Sequence, residues 1–192
     1  MSKYTLTDIA KAVRSEWFLI TSIIVAIGIV LLSFIGLNIG KKSGEQEGSI
    51  AWKNNIIAGE TTKDKLIKSL GQPLKIEAAD NQVSYFYDSG NKYRPHEVEL
   101  SEDQVNLIKE QVVGDERGKL SYYLQKYGEP QATVYGRHGD FAPGHFWQAV
   151  GLLVFANTND GTIVEIWYFQ PQDLQNFLGR HPELKLQEDQ GF

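Results

Sequence analysis

Lys65–Pro73 reads KLIKSLGQP, and 57 residues further on Tyr122–Pro130 reads YYLQKYGEP. Gly71 matches Gly128, Pro73 matches Pro130, Ile67 matches Leu124 and Leu70 matches Tyr127. Upstream, Ile56–Glu60 (IIAGE) is similar to Val112–Asp115 (VVGD). Glycine at a helix end takes a positive φ at little cost, and a proline soon after blocks continuation of the helix. Each copy therefore predicts a helix that stops abruptly and leaves as an extended strand.

Working outward, each copy predicts a helix–helix–antiparallel-sheet unit. In the first, Ser49 opens a helix through Trp52, Ile56 and Ile57, and Thr61 or Thr62 caps a second helix carrying Leu66, Ile67 and Leu70. Strands follow at 74–79, 83–89 and 96–100. In the second, Ser101-x-x-Gln104 has the form of a capping box before Val105, Ile108 and Val112, with a strand over 105–113 as the alternative. The next helix spans about 117–127. Strands are predicted at 132–137, 146–156 and 162–170, with Asn157–Gly161 (NTNDG) as a hairpin turn. A short helix at 172–179 ends the ordered pattern. The expected fold class is α+β, an N-terminal transmembrane helix followed by two tandem units of this kind.

The strands at 146–156 and 162–170 are apolar on both faces. The helices of each unit can cover one face of a sheet. The other is either closed by the C-terminal helix and loops or left as a binding surface. On the second alternative Tyr85, Tyr87, Trp147 and Trp167 form a partner surface, since Trp and Tyr dominate binding hot spots.

From Trp17 to Ile39 the chain carries no charge over 23 residues. At ~1.5 Å per residue this run is long enough for a ~30 Å hydrocarbon core. It is longer than the apolar region of a signal peptide and lacks an Ala-x-Ala cleavage site. The reading is a short cytoplasmic tail over 1–16, a membrane helix over 17–39, a linker over 40–48, a first unit over 49–100 and a second over 101–192. Flanking Lys and Arg are nearly balanced, and the larger C-terminal part is expected outside the cytoplasm.

The 192 residues sum to a charge of −5, and residues 43–192 alone hold 14 basic and 22 acidic residues, a net −8. That acidity argues against nucleic acid as a partner. With no cysteine, the chain has no disulfide, Cys-ligated metal or thiol chemistry. His138 and His145 bracket a Gly-rich stretch containing Asp140, a weak candidate for a metal site because the spacing is no ligand signature. No nucleophile elbow, zinc-protease motif or phosphate loop is present. No enzyme activity and no cofactor are expected. An enzyme using the His138–His145 loop and a small subunit of a membrane complex stay open as alternatives.

The run from Gly59 to Pro73, G-E-T-T followed by L-x-x-x-LGQP, together with the Tyr/Phe-rich strand after it, resembles the BamE/SmpA family of outer-membrane assembly lipoproteins. The tandem arrangement looks like the related β-lactamase inhibitor protein fold. The resemblance covers about residues 49–170. It implies protein–protein binding at the cell envelope, as an assembly or accessory factor, rather than catalysis. The chain departs from those lipoproteins in lacking a cysteine to acylate, so a membrane helix would take the place of the lipid anchor.

Overall fold

The two Gly-x-Pro sites end two short helices in the computed structural model, which describes residues 48–79, 82–114 and 116–186. Helix α1 (Lys63–Leu70) begins where the Thr62 hydroxyl accepts from the Lys65 N–H, with Asp64 in its first turn and Lys68 in its last. It ends at Gly71, whose N–H bonds to the Ile67 carbonyl. Helix α2 (Leu120–Tyr127) ends in the same way at Gly128. Both glycines take positive φ with extended ψ (83°, −170° and 75°, −163°), a region essentially reserved for glycine that turns the chain straight from helix into strand. Eight residues cannot hold a helix alone in water. Leu66 and Tyr123, buried against the sheet, anchor these two.

After α1 come β1 (Lys75–Ala79), β2 (Gln82–Tyr87), β3 (His96–Ser101) and β4 (Gln104–Gln111). After α2 come β5 (Ala132–Val134), β6 (Gly144–Trp147), β7 (Leu152–Ala156) and β8 (Ile163–Phe169), then helix α3 (Leu174–Arg180). The eight strands make one antiparallel sheet in the order β1-β2-β3-β4-β8-β7-β6-β5. The last strand of each half lies beside the other, Ile108 opposite Tyr168 and Lys109 opposite Trp167.

Two separate helix–helix–sheet units therefore do not form. Each half of the chain brings one α-helix ahead of its strands, and Lys53–Asn55 makes only a single 3-10 turn where a first helix was expected. The sheets merge because β4 and β8 pair with each other, burying Leu107 and Ile108 of β4 and Ile166, Trp167 and Phe169 of β8 on the two faces of the joint. Gln104–Gln111 is a strand in place of the expected capped helix, since Glu102 and Asp103 take positive φ (49° and 60°) and form a two-residue hairpin between β3 and β4. The stretch 146–156 is two strands, broken by a 3-10 turn at Gln148–Val150 and by Gly151 in the left-handed conformation.

One face of the sheet carries Val98, Ile108, Leu152, Val154 and Ile166 under α1, α2 and the 52–58 segment. The other carries Leu107, Phe146, Leu153, Phe155, Trp167 and Phe169 under Phe177 of α3 and Leu184. The second apolar face is thus closed by the chain's own C-terminal segment.

The expected membrane helix, with its boundaries Trp17 and Ile39, lies outside the described residues. Among the described residues no helix is long and apolar enough to cross a membrane. Eight residues at ~1.5 Å each reach less than half of a ~30 Å hydrocarbon core. Nothing in the described fold supports the expected single-pass placement, and it is not carried further.

Candidate functional site

The four aromatic residues expected at a partner surface are core. Tyr85, Tyr87 and Trp147 are 5, 6 and 2 % exposed on the helix-covered face, and Trp167 is 5 % exposed on the opposite face. Strand alternation, which made them look available, is also what points them inward once both faces are covered.

The two histidines part company as well. His145 follows the parity of Trp147 and lies opposite Val154, on the α1/α2 side, where burial lowers its pKa. His138 packs against Phe155 on the α3 side, ring centroids 5.3 Å apart. They do not share a site, and among the described residues no group of three or more His, Asp or Glu side chains is placed to hold a metal ion.

What the structure does bring together is His138, Trp167 and Glu165. The Glu165 side chain is fully buried on β8. Its Oε2 accepts from Arg137 Nη2 at 2.6 Å, Arg137 Nε at 3.2 Å and His138 Nε2 at 2.6 Å, with Arg94 Nη2 at 3.9 Å. Its Oε1 accepts from the Trp167 indole at 2.7 Å. Burial alone would raise the pKa of this carboxyl. The His138 bond, the Arg137 charge and the Trp167 bond outweigh burial and hold it down to about 2. Beside it Lys109 lies 5.0 Å over the Trp167 ring and pairs with Glu97 at 3.4 Å and with Glu99. A cavity of about 120 Å³ sits among Glu97, Lys109, Arg137, Trp167, Glu183 and Leu184. That is room for about four waters, well below the ~300 Å³ at which ligand pockets begin.

On the opposite face Glu110 is nearly as buried. Its Oε1 accepts from Arg117 Nη2 at 2.6 Å and Nε at 3.1 Å, and its Oε2 from the Tyr168 hydroxyl at 2.8 Å. Both carboxylates are fully engaged by donors. A general acid or base needs a pKa near the working pH and a proton within reach of substrate. Glu165, held ionised to about pH 2, does not meet the first condition. A shallow groove of about 490 Å³ beside the start of α1 is lined by residues that pair among themselves, such as Lys63 with Asp103 at 3.2 Å.

Among the described residues, the surface that stands unused is the β1 edge. At the far side of the sheet, Tyr135 exchanges both backbone hydrogen bonds with Lys185 (2.7 and 2.8 Å), so the chain's own C-terminal segment covers the run-on from β5. At the near side β1 ends the sheet, and all five of its residues are exposed. Ala79 opposite Gln82 closes the β1–β2 hairpin. Alternate pairing then turns the backbone groups of Lys75, Glu77 and Ala79 toward β2, and those of Ile76 and Ala78 outward. Leu74 and Ile76 are 72 and 54 % exposed. No proline lies within β1; Lys75 and Glu77 are its charged side chains, and just before it the Leu74 N–H turns inward to the Phe86 carbonyl at 2.8 Å. Sequence reasoning placed the strand but passed over its position. Its alternating pattern, Leu74, Ile76 and Ala78 against Lys75 and Glu77, was the available signal.

No family model matches the chain, and no curated protein is similar to it. Three solved structures are similar at low identity. A DUF4309 family protein from Bacillus subtilis is 12% identical with a TM-score of 0.46, over 64% of this chain and 88% of that one. A cysteine-rich secretory protein from Staphylococcus aureus is 10% identical with a TM-score of 0.43, over 68% of this chain and 49% of that one. An extracellular protein containing an SCP domain from Bacillus anthracis is 15% identical with a TM-score of 0.43, over 76% of this chain and 53% of that one. The chain thus spans about half the length of the latter two, and none of the three is described as a BamE/SmpA protein.

Proposed function

We propose that this chain is a non-enzymatic protein-binding module that receives an extended protein segment along β1. The observation that carries the reading is the outward-facing backbone of Ile76 and Ala78 on an exposed edge strand. Main-chain groups in that arrangement pair with another extended chain, and alternate side chains set which one. The incoming strand would carry apolar residues on the side of Leu74 and Ile76 and charged residues on the side of Lys75 and Glu77. An enzyme working through the His138–His145 loop lacks comparable support, because its two histidines lie on opposite faces of the sheet.

A photo-crosslinking residue placed at Ile76 in the full-length chain tests the reading in the producing cell. Protein adducts are expected at Ile76 and not at the exposed loop position Tyr93. They should disappear when Ala78→Pro removes an outward N–H, which an edge strand tolerates without unfolding. Equal adducts at Ile76 and Tyr93, or adducts indifferent to Ala78→Pro in a protein that melts normally, would overturn it.

A further inference from the structure

We infer that the strand received by β1 is β1 of a second copy, paired antiparallel about Ile76; this rests on the reading of β1 as a docking edge. Both faces of β1 are complementary to themselves under a two-fold axis. Centred on Ile76, the pairing sets Lys75 opposite Glu77 of the second copy and Glu77 opposite its Lys75. The two charges already pair with each other within one strand, so the dimer closes an alternating four-charge cluster. On the other side Ile76 meets Ile76. Opposite charges directly across an antiparallel ladder stabilise it and like charges oppose it.

The backbone agrees with the side chains. Ile76 turns its N–H and C=O outward, so the Ile76–Ile76 pair is a hydrogen-bonded one with a Cα separation of about 5.5 Å. The contact is isologous and closes as a dimer, leaving no further edge to propagate. At the other end of the sheet Tyr135, just after β5, is already paired with Lys185. The molecule already uses the same device internally, where β4 and β8, the last strands of its two halves, pair antiparallel at the centre of the sheet. Five residues a side fall short of the ~1,200 Å² of a standard interface, so the association is weak and concentration-dependent.

The chain contains no cysteine, which makes Ile76→Cys a clean reporter. A Cα separation of about 5.5 Å is within disulfide range. Under mild oxidation the full-length Ile76→Cys protein should form a linked dimer about tenfold faster than Tyr93→Cys, whose encounters are only collisional. Adding Lys75→Glu sets four carboxylates around the joint and should slow trapping about tenfold. Adding Glu77→Lys to that variant restores opposite charges and should restore the rate. Trapping at Ile76 no faster than at Tyr93, or a double charge swap that fails to recover, overturns the second copy as occupant. Photo-adducts at Ile76 with masses other than a dimer, combined with no disulfide trapping, also overturn it while leaving the docking edge in place.

Discussion

Glu165 stands out at the residue scale because four donor bonds from Arg137, His138 and Trp167 converge on one fully buried carboxylate. Its folded pKa of about 2 lies below the ordinary 4.5, so its contribution to stability is present above pH 4.5 and is lost as pH falls toward 2. The His96 pKa is lowered as well, here against its charged form. Burial first, and then the Lys53 charge, lower it from 6.5 to about 4. The unfolded chain therefore takes up that proton before the folded one does, and stability is lost as pH falls from 6.5 toward 4. Thermal melts across pH should show two stages, each worth about 3 kcal/mol. His96→Gln should flatten the upper stage and Glu165→Gln the lower. At neutral pH Glu165→Gln should cost about 3 kcal/mol, the lower end for breaking a buried ion pair, because Arg137 can turn to solvent. None of this was legible in the sequence. With 24 acidic residues to choose from, nothing marks Glu165 and Glu110 as the two that fold in against Arg137, His138, Arg117 and Tyr168. The histidines were visible as a pair, but a spacing of seven on a loop does not say on which side of a sheet each will land.

Single elements divide into those set by local chemistry and those set by their neighbours. The helix stops at Gly71 and Gly128 and the turn at Asn157–Gly161 depend on backbone freedom within a few residues, and they fall where the sequence puts them. The β4 strand was masked by burial on both faces, which erases the alternation that signals a strand. The β6–β7 hairpin was masked because its turn reads as a continuous apolar run. That turn also reverses parity, so Phe146 shares a face with Leu153 and Phe155 instead of Leu152 and Val154. A register shift between Phe155 and Ala156 does the same to Ile163. Gly151 is the pivot. A Cβ there would lie 1.8 Å from the Phe169 carbonyl oxygen, on a residue with φ of 61°. Gly151→Ala should therefore cost about 4 kcal/mol by denaturant titration, since steric overlap adds to backbone strain. Gly71→Ala, with open space around the new methyl, should carry only the strain, about 1–2 kcal/mol. Similar losses at both sites would show that close approach to Phe169 does not matter.

At the scale of the molecule, the central pair β4–β8 ties the halves into one sheet. The Tyr168 hydroxyl reaches across that joint to Glu110. A chain shortened to residues 1–114 keeps α1 and β1–β4 but strips β4 of its partner and β3–β4 of Ile166, Tyr168 and Trp167. It should show no cooperative thermal transition and no slowly exchanging amides in β4, whereas independent units would keep both. What the sequence by itself determined was local: two helix stops, most strand segments, an acidic composition, and the absence of cysteine and of catalytic motifs. These follow from backbone freedom, side-chain periodicity and residue chemistry within short windows. What only the tertiary structure decided was which edges pair and which faces are covered. The merging of two sheets into one, the burial of Tyr85, Tyr87, Trp147 and Trp167, and the exposure of β1 all depend on contacts between segments far apart in the chain. Apolar strands satisfy such contacts equally well in several arrangements until the whole molecule closes around one.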